Sequence, residues 1–298
     1  MFGRRPDGRR IKGIDPIVQV TPYIMPTRAD AQVYLRHRAD MEVMSEYIKK
    51  IRAEKGINLT HMDILAAAYV RAVSRNPEIN RVIMNKQYYA RNNCSMAVTI
   101  LKDPKNLDAG ETVIKIRFDL TDTIFDVHER IDREIQKNRG DQPKNFLDKL
   151  AAFVFLLPGL PSLIVGLVKL LDRYGLCPKA MIDELPFHVG LYITNTASIG
   201  LHDVNHHIYN FGNVSLFFGM GLPERDAVVE NGVTRMKRYL PVGITADERV
   251  CAGAHYARFF NDVRFGIDHP ETLETEPKEV KFDHGLEYHE PKPERKEA

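Results

Sequence analysis

The sequence predicts an α/β protein in which helices cover a largely continuous sheet as one sandwich domain. Three observations predict this class: apolar residues recur at helical spacing from Met41 to Lys55, strand-like apolar runs occur in both halves, and Asn231-Gly232 is a strong hairpin signal. With 298 residues, 44% hydrophobic and 28% charged, the chain is ordinary for a soluble globular protein.

Helices are predicted where apolar spacing meets a start or stop signal. The Met41 to Lys55 helix ends at Gly56, which favours a left-handed cap. Two capping boxes, Thr60-x-x-Asp63 and Thr123-x-x-Asp126, begin the next two helices. The first of these helices ends before Asn76, and the second continues to about Lys137. A last helix is predicted from Ala254 to Phe265, with its aromatic side directed inward.

Strands are predicted in the apolar runs bounded by turn residues. Asn85-Lys86 is expected to turn a hairpin, as is Asn231-Gly232. The remaining predicted strands cover Cys94 to Leu101, Val113 to Phe118, Phe187 to Thr194, Val214 to Met220 and Pro241 to Thr245.

Charge and cysteine usage exclude several classes of function. The net charge is only +2, from 42 Lys+Arg against 40 Asp+Glu, so no nucleic-acid partner is expected. The three cysteines, Cys94, Cys177 and Cys251, lie far apart without C-x-x-C spacing, which favours neither a disulfide framework nor a zinc site. No secretory signal follows the basic N-terminus, so we expect a cytoplasmic protein with a basic arm over residues 1–20.

One segment is unusually apolar. Ala151 to Val168 carries no charge over eighteen residues, but Pro158, Gly159 and Pro161 lie within it and would break a spanning helix. Two short helices are therefore predicted, Lys144 to Leu157 and Pro161 to Tyr174. Buried helices or an apolar acyl-binding lid are favoured, and peripheral membrane or lipid contact is the alternative. Beyond the main domain, residues 21–268, a charged tail over 269–298 is predicted to be flexible.

The run from Asp247 to Phe260, DERVCAGAHYARFF, is the most informative in the chain. It resembles the D-H-R-x-x-D-G motif of dihydrolipoyl acyltransferase catalytic domains of 2-oxo acid dehydrogenase complexes, and the H-H-x-V-C-D-G-x-H-x-A-R-F run of chloramphenicol acetyltransferases. Glu248 stands where the family has its catalytic histidine, and Ala252 where it has the motif aspartate. The positions that keep the family's residue include Asp247, Arg249, Gly253 and His255.

Further segments carry the same resemblance over roughly Arg10 to Leu273. The helix around Thr60 with its N-P-x-x-N exit is similar to the family's, and Ile193-Thr194-Asn195 is similar to the I-S-N segment that bears the oxyanion-binding hydroxyl. The resemblance thus places Thr194 at the hydroxyl position, with Asn195 beside it, and Glu248 at the base position.

The resemblance implies a chloramphenicol acetyltransferase-like two-layer sandwich and a homotrimer with an active site at each subunit interface. Coenzyme A or acyl-CoA and a small thiol or hydroxyl acceptor would enter the site from opposite ends of a channel. The family base takes the acceptor's proton, and the hydroxyl stabilises the oxyanion. No metal is implied. The sequence contains no lipoyl attachment domain, so an ordinary core of such a complex is not expected.

Three functions stay open at this point. The first is a CoA-dependent acyltransferase-family protein with weak or non-standard transfer, in which Glu248 is either a base with a raised pKa or an ion-pair partner. The second is a pseudoenzyme that serves as a scaffold or acyl-CoA-binding regulator. The third, weaker one is a lipid-directed acyltransferase using the Ala151 to Val168 segment.

Three other groups of residues have side chains that are capable of chemistry. His255 is a neighbour of the motif rather than a replacement base. The cluster His202, Asp203, His206 and His207 has metal-ligating side chains, but a polar loop is the favoured interpretation. Cys251 is predicted to be a core residue and not a nucleophile.

Overall fold

The protein's structure, a computed structural model, describes residues 4–101, 110–138 and 159–294. Within these ranges the chain forms one large mixed sheet, one small sheet and seven α-helices. The strands are β1 (Arg4–Arg5), β2 (Gly8–Arg10), β3 (Gln32–Asp40), β4 (Arg81–Met84), β5 (Gln87–Arg91), β6 (Cys94–Leu101), β7 (Glu111–Phe118), β8 (Leu191–Asn195), β9 (Leu216–Met220), β10 (Glu224–Glu230) and β11 (Val233–Asp247). The helices are α1 (Pro16–Ile24), α2 (Met41–Lys55), α3 (His61–Arg75), α4 (Ile124–Asn138), α5 (Leu160–Arg173), α6 (Lys179–Glu184) and α7 (Gly253–Asp268).

The large sheet has seven strands in the order β10-β11-β9-β8-β6-β7, and β3 pairs with the second half of β11. The strands β6, β8 and β9 run parallel to one another, and the other pairs are antiparallel. The fifteen residues of β11 form a hairpin with β10 first and are then enclosed between β3 and β9. This strand therefore joins the edge of the sheet to its centre.

Successive side chains of each strand face opposite sides of the large sheet. Met96 and Val98 of β6 face the main core, while Ala97 between them faces a smaller cluster. Helices α2, α3, α4 and α7 contribute to the main core, and the loop before β9 covers the other face through Ile208 and Val214. The predicted two-layer α/β sandwich is thus confirmed.

The predicted helix signals operate as expected. Asp40 caps α2, and Gly56 ends it with a positive φ of 70°. The side chains of Thr60 and Asp63 form the reciprocal capping box of α3, whose residues are buried almost all round. Helix α3 lies centrally against α7, where a Cβ on Gly266 would be only 3.1 Å from the Cβ of Ala68.

The N-terminal segment, predicted as a surface arm, is paired with the body of the protein. Strand β2 pairs with β5, and β1 pairs with β2, which makes a four-stranded sheet with β4. Arg5 is buried and its guanidinium lies 2.6 Å from the carboxylate of Asp172. Burial raises the pKa of Asp172, whereas its contacts with His188 and Arg5 lower it. The contacts prevail, and the pKa of Asp172 falls to about 2.

The tail likewise makes contacts that its composition does not predict. Asp283 pairs with Arg81 at 2.7 Å, and Tyr288 packs against the main core with its hydroxyl 3.2 Å from Asn80. Apolar Phe282 also packs against that core. The division of the chain at residues 20 and 268 into arm, domain and tail remains a prediction.

The strand predicted from Phe187 to Thr194 is wrong at its start, because β8 begins at Leu191. His188 is bonded instead to Asp172 at 3.0 Å, and residues 188–190 form a bend and not a strand. The predicted helix from Lys144 to Leu157 lies outside the described residues, whereas the helix predicted to begin at Pro161 is confirmed as α5.

Helix α5 carries the described part of the apolar segment and exposes much of it. Leu163 is 69% exposed and Leu167 is 52% exposed. Among the described residues, no helix has the length and hydrophobicity needed to span a bilayer.

Gly190 precedes β8 at a close approach, and we predict that Gly190→Ala destabilises the protein. An added Cβ would lie 2.4 Å from the hydroxyl oxygen of Tyr69 and 2.9 Å from the amide oxygen of Asn80. Because Tyr69 is fully buried, we expect a loss of about 1–3 kcal/mol in the free energy of unfolding, measured by urea titration. Gly166→Ala is the control, since its Cβ would meet open space in α5 and should add about 0.5–1 kcal/mol. Equal stability of the two variants would contradict the packing argument.

Candidate functional site

The motif begins where β11 ends, at a buried ion pair. The Asp247 amide donates to the carbonyl of Ser215 at 3.0 Å, which fixes the strand end against β9. Arg249 folds back onto Asp247 in a bidentate contact, with Nε 2.8 Å from Oδ1 and Nη2 2.7 Å from Oδ2. Its third nitrogen, Nη1, donates to the carbonyl of Met25 at 2.9 Å. These bonds determine the path of the turn between the two residues.

Glu248 lies between the members of this pair and points the other way. Its amide donates to the carbonyl of Ala31 at 2.9 Å, so its backbone is held by the segment before β3. The side chain is exposed. In the described part of the chain, the Glu248 carboxylate has no hydrogen-bond partner. The frame therefore positions the residue but does not orient its carboxylate.

Ala252, at the position of the motif aspartate, is the N-cap residue of α7. Its backbone carbonyl accepts from the amide of His255 at 2.9 Å, but its methyl group gives no capping hydrogen bond. The first turn of α7 also contains no acidic residue. Free amide groups at this helix end thus lack the side-chain acceptor that N-cap positions usually supply.

Thr194, predicted to bind the oxyanion, lies far from Glu248 within one chain. The register pairs Thr194 with Gly219 and Gly219 with Gly243, so Thr194 is level with Gly243 of β11. Glu248 is five residues beyond Gly243, or about 16 Å along the strand direction, and two strand spacings to the side. The resulting separation of roughly 19 Å between backbones exceeds what the two side chains can bridge.

Two polar contacts near these residues were not predicted from the sequence. The Thr196 hydroxyl lies 2.9 Å from the carbonyl oxygens of His202 and Met220, which holds the turn after β8. Tyr256 donates its hydroxyl to the carbonyl of Asp247. Asn195, the neighbour of Thr194, is exposed. The sequence gives no motif for such contacts, because each joins a side chain to a backbone carbonyl six or more positions away.

The remaining candidate residues have structural surroundings. His255 is half-buried, and its Nδ1 is enclosed without a hydrogen-bond partner in the part of the chain described. Cys251 is buried in the main core, and burial raises the pKa of its thiol to about 12. Its reactivity as a thiolate is correspondingly low.

The His202 to His207 cluster does not converge on a common point. Asp203 is bonded to Arg36 at 2.7 Å, and His206 stacks on Phe217 with ring centroids 4.1 Å apart. Across residues 4–101, 110–138 and 159–294, no group of three or more His, Cys, Asp or Glu side chains is arranged to hold a metal ion.

Known acyltransferases share this architecture. The family model for the 2-oxoacid dehydrogenases acyltransferase catalytic domain matches residues 189–275, which include β8, the motif and α7. A probable dihydrolipoamide acetyltransferase from Listeria monocytogenes superposes with a TM-score of 0.53 at 14% identity, covering 91% of this chain and 98% of that one. A chloramphenicol acetyltransferase gives a TM-score of 0.52 at 11% identity, covering 87% and 99%.

A third similar structure is the Azotobacter vinelandii dihydrolipoamide acetyltransferase, studied for the roles of a serine, a histidine and an asparagine in its catalytic mechanism. It superposes with a TM-score of 0.50 at 15% identity, covering 89% of this chain and 94% of that one. No curated protein matches the chain in sequence.

The fold is therefore the chloramphenicol acetyltransferase-like sandwich shared by these enzymes. Residues 189–275 carry the catalytic-domain signature of the 2-oxoacid dehydrogenase acyltransferases, and the resemblance predicted from the sequence is confirmed.

The uncapped start of α7 leads to a stability prediction. Ala252→Asp should raise the free energy of unfolding by about 0.5–2 kcal/mol, because the carboxylate would accept from free amides and face the positive end of the helix. Thermal and urea unfolding measure the change. Ala257→Asp is the matched control, since residue 257 is exposed one turn further along α7 and gains no capping bond. If both variants change stability equally, the N-cap explanation is wrong.

Proposed function

We propose that the protein is a CoA-dependent acyltransferase-family protein with an altered active site and weak or non-standard acyl transfer. The observation that carries the proposal is the preserved motif frame: the buried Asp247–Arg249 pair presents the exposed residue 248 from a rigid turn. Coenzyme A is the expected acyl carrier, and a small thiol or hydroxyl compound the expected acceptor. The likeness of the fold to acetyltransferases supports this class of reaction.

In the proposed reaction, the acceptor's sulfur or oxygen attacks the thioester carbonyl while its proton passes to the Glu248 carboxylate. The Thr194 hydroxyl donates a hydrogen bond to the oxyanion so formed. Collapse of this intermediate breaks the bond to the coenzyme A sulfur, which leaves as a thiolate and takes up the proton held by Glu248. Free glutamate, with a pKa of about 4.3, is a weaker base than free histidine at about 6.5. Slow proton transfer is the reason to expect weak activity.

The site is proposed to form between subunits of a homotrimer. A separation of roughly 19 Å between Thr194 and Glu248 in one chain means that they can face one substrate only if different copies supply them. Exposed apolar side chains on the β10–β11 hairpin support self-association, since Val229 is 70% exposed and Met236 is 60% exposed. One of the similar structures is the cubic core of the pyruvate dehydrogenase multienzyme complex, an assembly of related domains.

A second candidate function is a pseudoenzyme that acts as a scaffold or acyl-CoA-binding regulator. The observation that favours it is the Glu248 carboxylate, which no neighbour in the described part of the chain orients. A general base needs a fixed geometry relative to the proton it removes. In a trimer, the adjoining copy would have to provide the missing orientation.

A third candidate is a lipid-directed acyltransferase, favoured by the exposed leucines of α5. Detergent-dependent solubility and activity on lipid acceptors alone would distinguish it from the first two. The cytoplasmic location expected from the sequence is compatible with all three candidates.

Restoring the motif tests whether its two altered residues limit the activity. In Glu248→His/Ala252→Asp, the histidine supplies the family base and the aspartate mainly caps α7. Because a positioned base typically contributes on the order of 10² to 10⁴ in rate, coenzyme A release from acetyl-CoA with dihydrolipoamide should rise at least about tenfold. Chromatographic separation of free coenzyme A from acetyl-CoA, with the rate of background hydrolysis subtracted, gives the rate of transfer.

Ala252→Asp alone is the control, because it shares the stabilised helix but lacks the base. Glu248→Gln completes the series: it should abolish turnover with nearly unchanged acyl-CoA affinity if the carboxylate is a working base. A double variant that binds acyl-CoA by calorimetry without any gain in rate would favour the scaffold function. A wild type faster than the restored variant would remove the pseudoenzyme candidate.

Shared sites lead to a complementation prediction. Light scattering should first give a homotrimer, and a monodisperse monomer would contradict the shared site. The next step uses either the wild type or the restored variant, whichever is more active. In that protein, Thr194→Ala should inactivate the trimer, and so should removal of the base at residue 248. After unfolding and refolding the two variants together, about a quarter of the sites should regain both groups if each site draws on two copies. No recovery in mixed trimers would place both residues in one subunit's site.

A further inference from the structure

A cavity of about 410 Å³ opens on the side of the molecule between α1, the β4–β5 hairpin and the end of α5. Its lining is rich in cations. Charged side chains at this cavity are Arg28, Lys86, Lys169, Asp172, Arg173 and Arg249. Glu248 and Thr194 do not line it, so the proposed acyl transfer leaves most of these cations without a role.

Arg28 is the buried cation at this cavity. The residue is only 7% exposed, and its backbone amide donates to the side-chain oxygen of Asn210 at 3.0 Å. Over the described ranges, its guanidinium has neither a hydrogen-bond nor an ion-pair partner. Burial, partly offset by the charge of Asp247, lowers its pKa to about 10, so the group is still charged at neutral pH. An unpaired buried cation is costly unless an anion joins it.

The carboxylates nearby are already bonded to other groups. Asp172 lies 2.6 Å from a nitrogen of Arg5 and 3.0 Å from Nε2 of His188. Asp247, whose charge acts on Arg28, is held by the two nitrogens of Arg249. Neither carboxylate is hydrogen-bonded to Arg28, so the positive charge at the cavity is not locally neutralised.

Within the described residues, the cations at the rim also have no charged partner. Arg173 donates through Nε to the side-chain oxygen of Asn85 at 3.0 Å, and Lys86 Nζ lies 4.4 Å from the ring centre of Tyr23. Both partners are uncharged. Among the described residues, Lys86, Lys169 and Arg173 form no ion pair. Together with Arg28, this gives four positive charges around one opening.

We propose that this cavity is a phosphate-binding site, in which the Arg28 guanidinium contacts a phosphoryl group and Lys86, Lys169 and Arg173 contribute charge at the rim. The planar fork of an arginine matches two phosphate oxygens, and the doubly charged group suits several cations better than a single carboxylate does. The occupant is a small phosphate ester or a phosphate of a lipid headgroup. Exposed Ile17 of α1 and Leu170 of α5 make the second source worth testing.

Binding of inorganic pyrophosphate at low salt tests the proposal. Calorimetry on the wild type should show binding, and Arg28→Gln should weaken it by roughly tenfold or more, because one charge-assisted contact is lost. Lys169→Gln, at an exposed residue, should weaken binding less. Arg225→Gln is the matched control, since it removes one exposed arginine of β10 that does not line the cavity and should leave the affinity unchanged.

Stability gives an independent readout. Without phosphate, Arg28→Gln should melt at or above the wild-type temperature, since it removes a buried cation that has no partner. Pyrophosphate should raise the melting temperature of the wild type and not that of the variant. If Arg28→Gln does not fold, Lys169→Gln/Arg173→Gln decides: weakened binding supports the site, and unchanged binding overturns it.

Sedimentation with phosphatidylcholine vesicles, with and without phosphatidic acid, distinguishes the sources. Arg28-dependent binding to the acidic vesicles, displaced by pyrophosphate, assigns a lipid headgroup. Pyrophosphate binding without vesicle binding assigns a soluble phosphate ester. The proposal is overturned if the wild type binds neither, if Arg28→Gln binds pyrophosphate as tightly, or if Arg28→Gln only dissociates the oligomer, which would make the cavity a subunit contact.

Discussion

The buried pair between Asp247 and Arg249 is the interaction on which the candidate site depends. It lies where β11 leaves the sheet, and it joins that strand end to Met25 in the segment after α1. Breaking one partner of such a pair would leave a charge uncompensated in the interior, which commonly costs several kcal/mol. The turn is therefore rigid, and residue 248 is held at the surface whatever its side chain is. The position of residue 248 is therefore independent of the chemistry of its side chain.

Much of the fold could be predicted from the sequence because its signals are local. The Thr60–Asp63 capping box, Gly56 and the Asn231-Gly232 turn each act within a few residues, and each element appears where it was expected. The start predicted for β8 is too early because a contact between distant residues, and not a local signal, determines it. His188 has the neighbours of a strand residue, yet it is drawn to Asp172, sixteen positions away, by a contact that no local pattern contains.

The site could be predicted in part for the same reason. The family motif is contiguous, so its substituted positions, Glu248 and Ala252, are apparent from the sequence alone. The N-cap role of Ala252 and the separation of Thr194 from Glu248 follow only from the strand register and the helix start. The burial of Arg28 could not be predicted from the sequence. Nothing in its neighbours Thr27, Ala29 and Asp30 distinguishes a buried arginine from a solvated one.

The distribution of charge explains how one scaffold can hold different chemistries. Buried charges that form pairs, such as Arg5 with Asp172, join the small sheet to α5 and tolerate little change. The exposed Glu248 has no such duty, because substitution at a solvated position seldom alters stability by more than about 0.5 kcal/mol. Selection on folding alone would therefore retain Asp247 and Arg249 while leaving residue 248 free to vary. A preserved frame thus supports the fold, whereas the proposed reaction depends on a residue that the frame does not constrain.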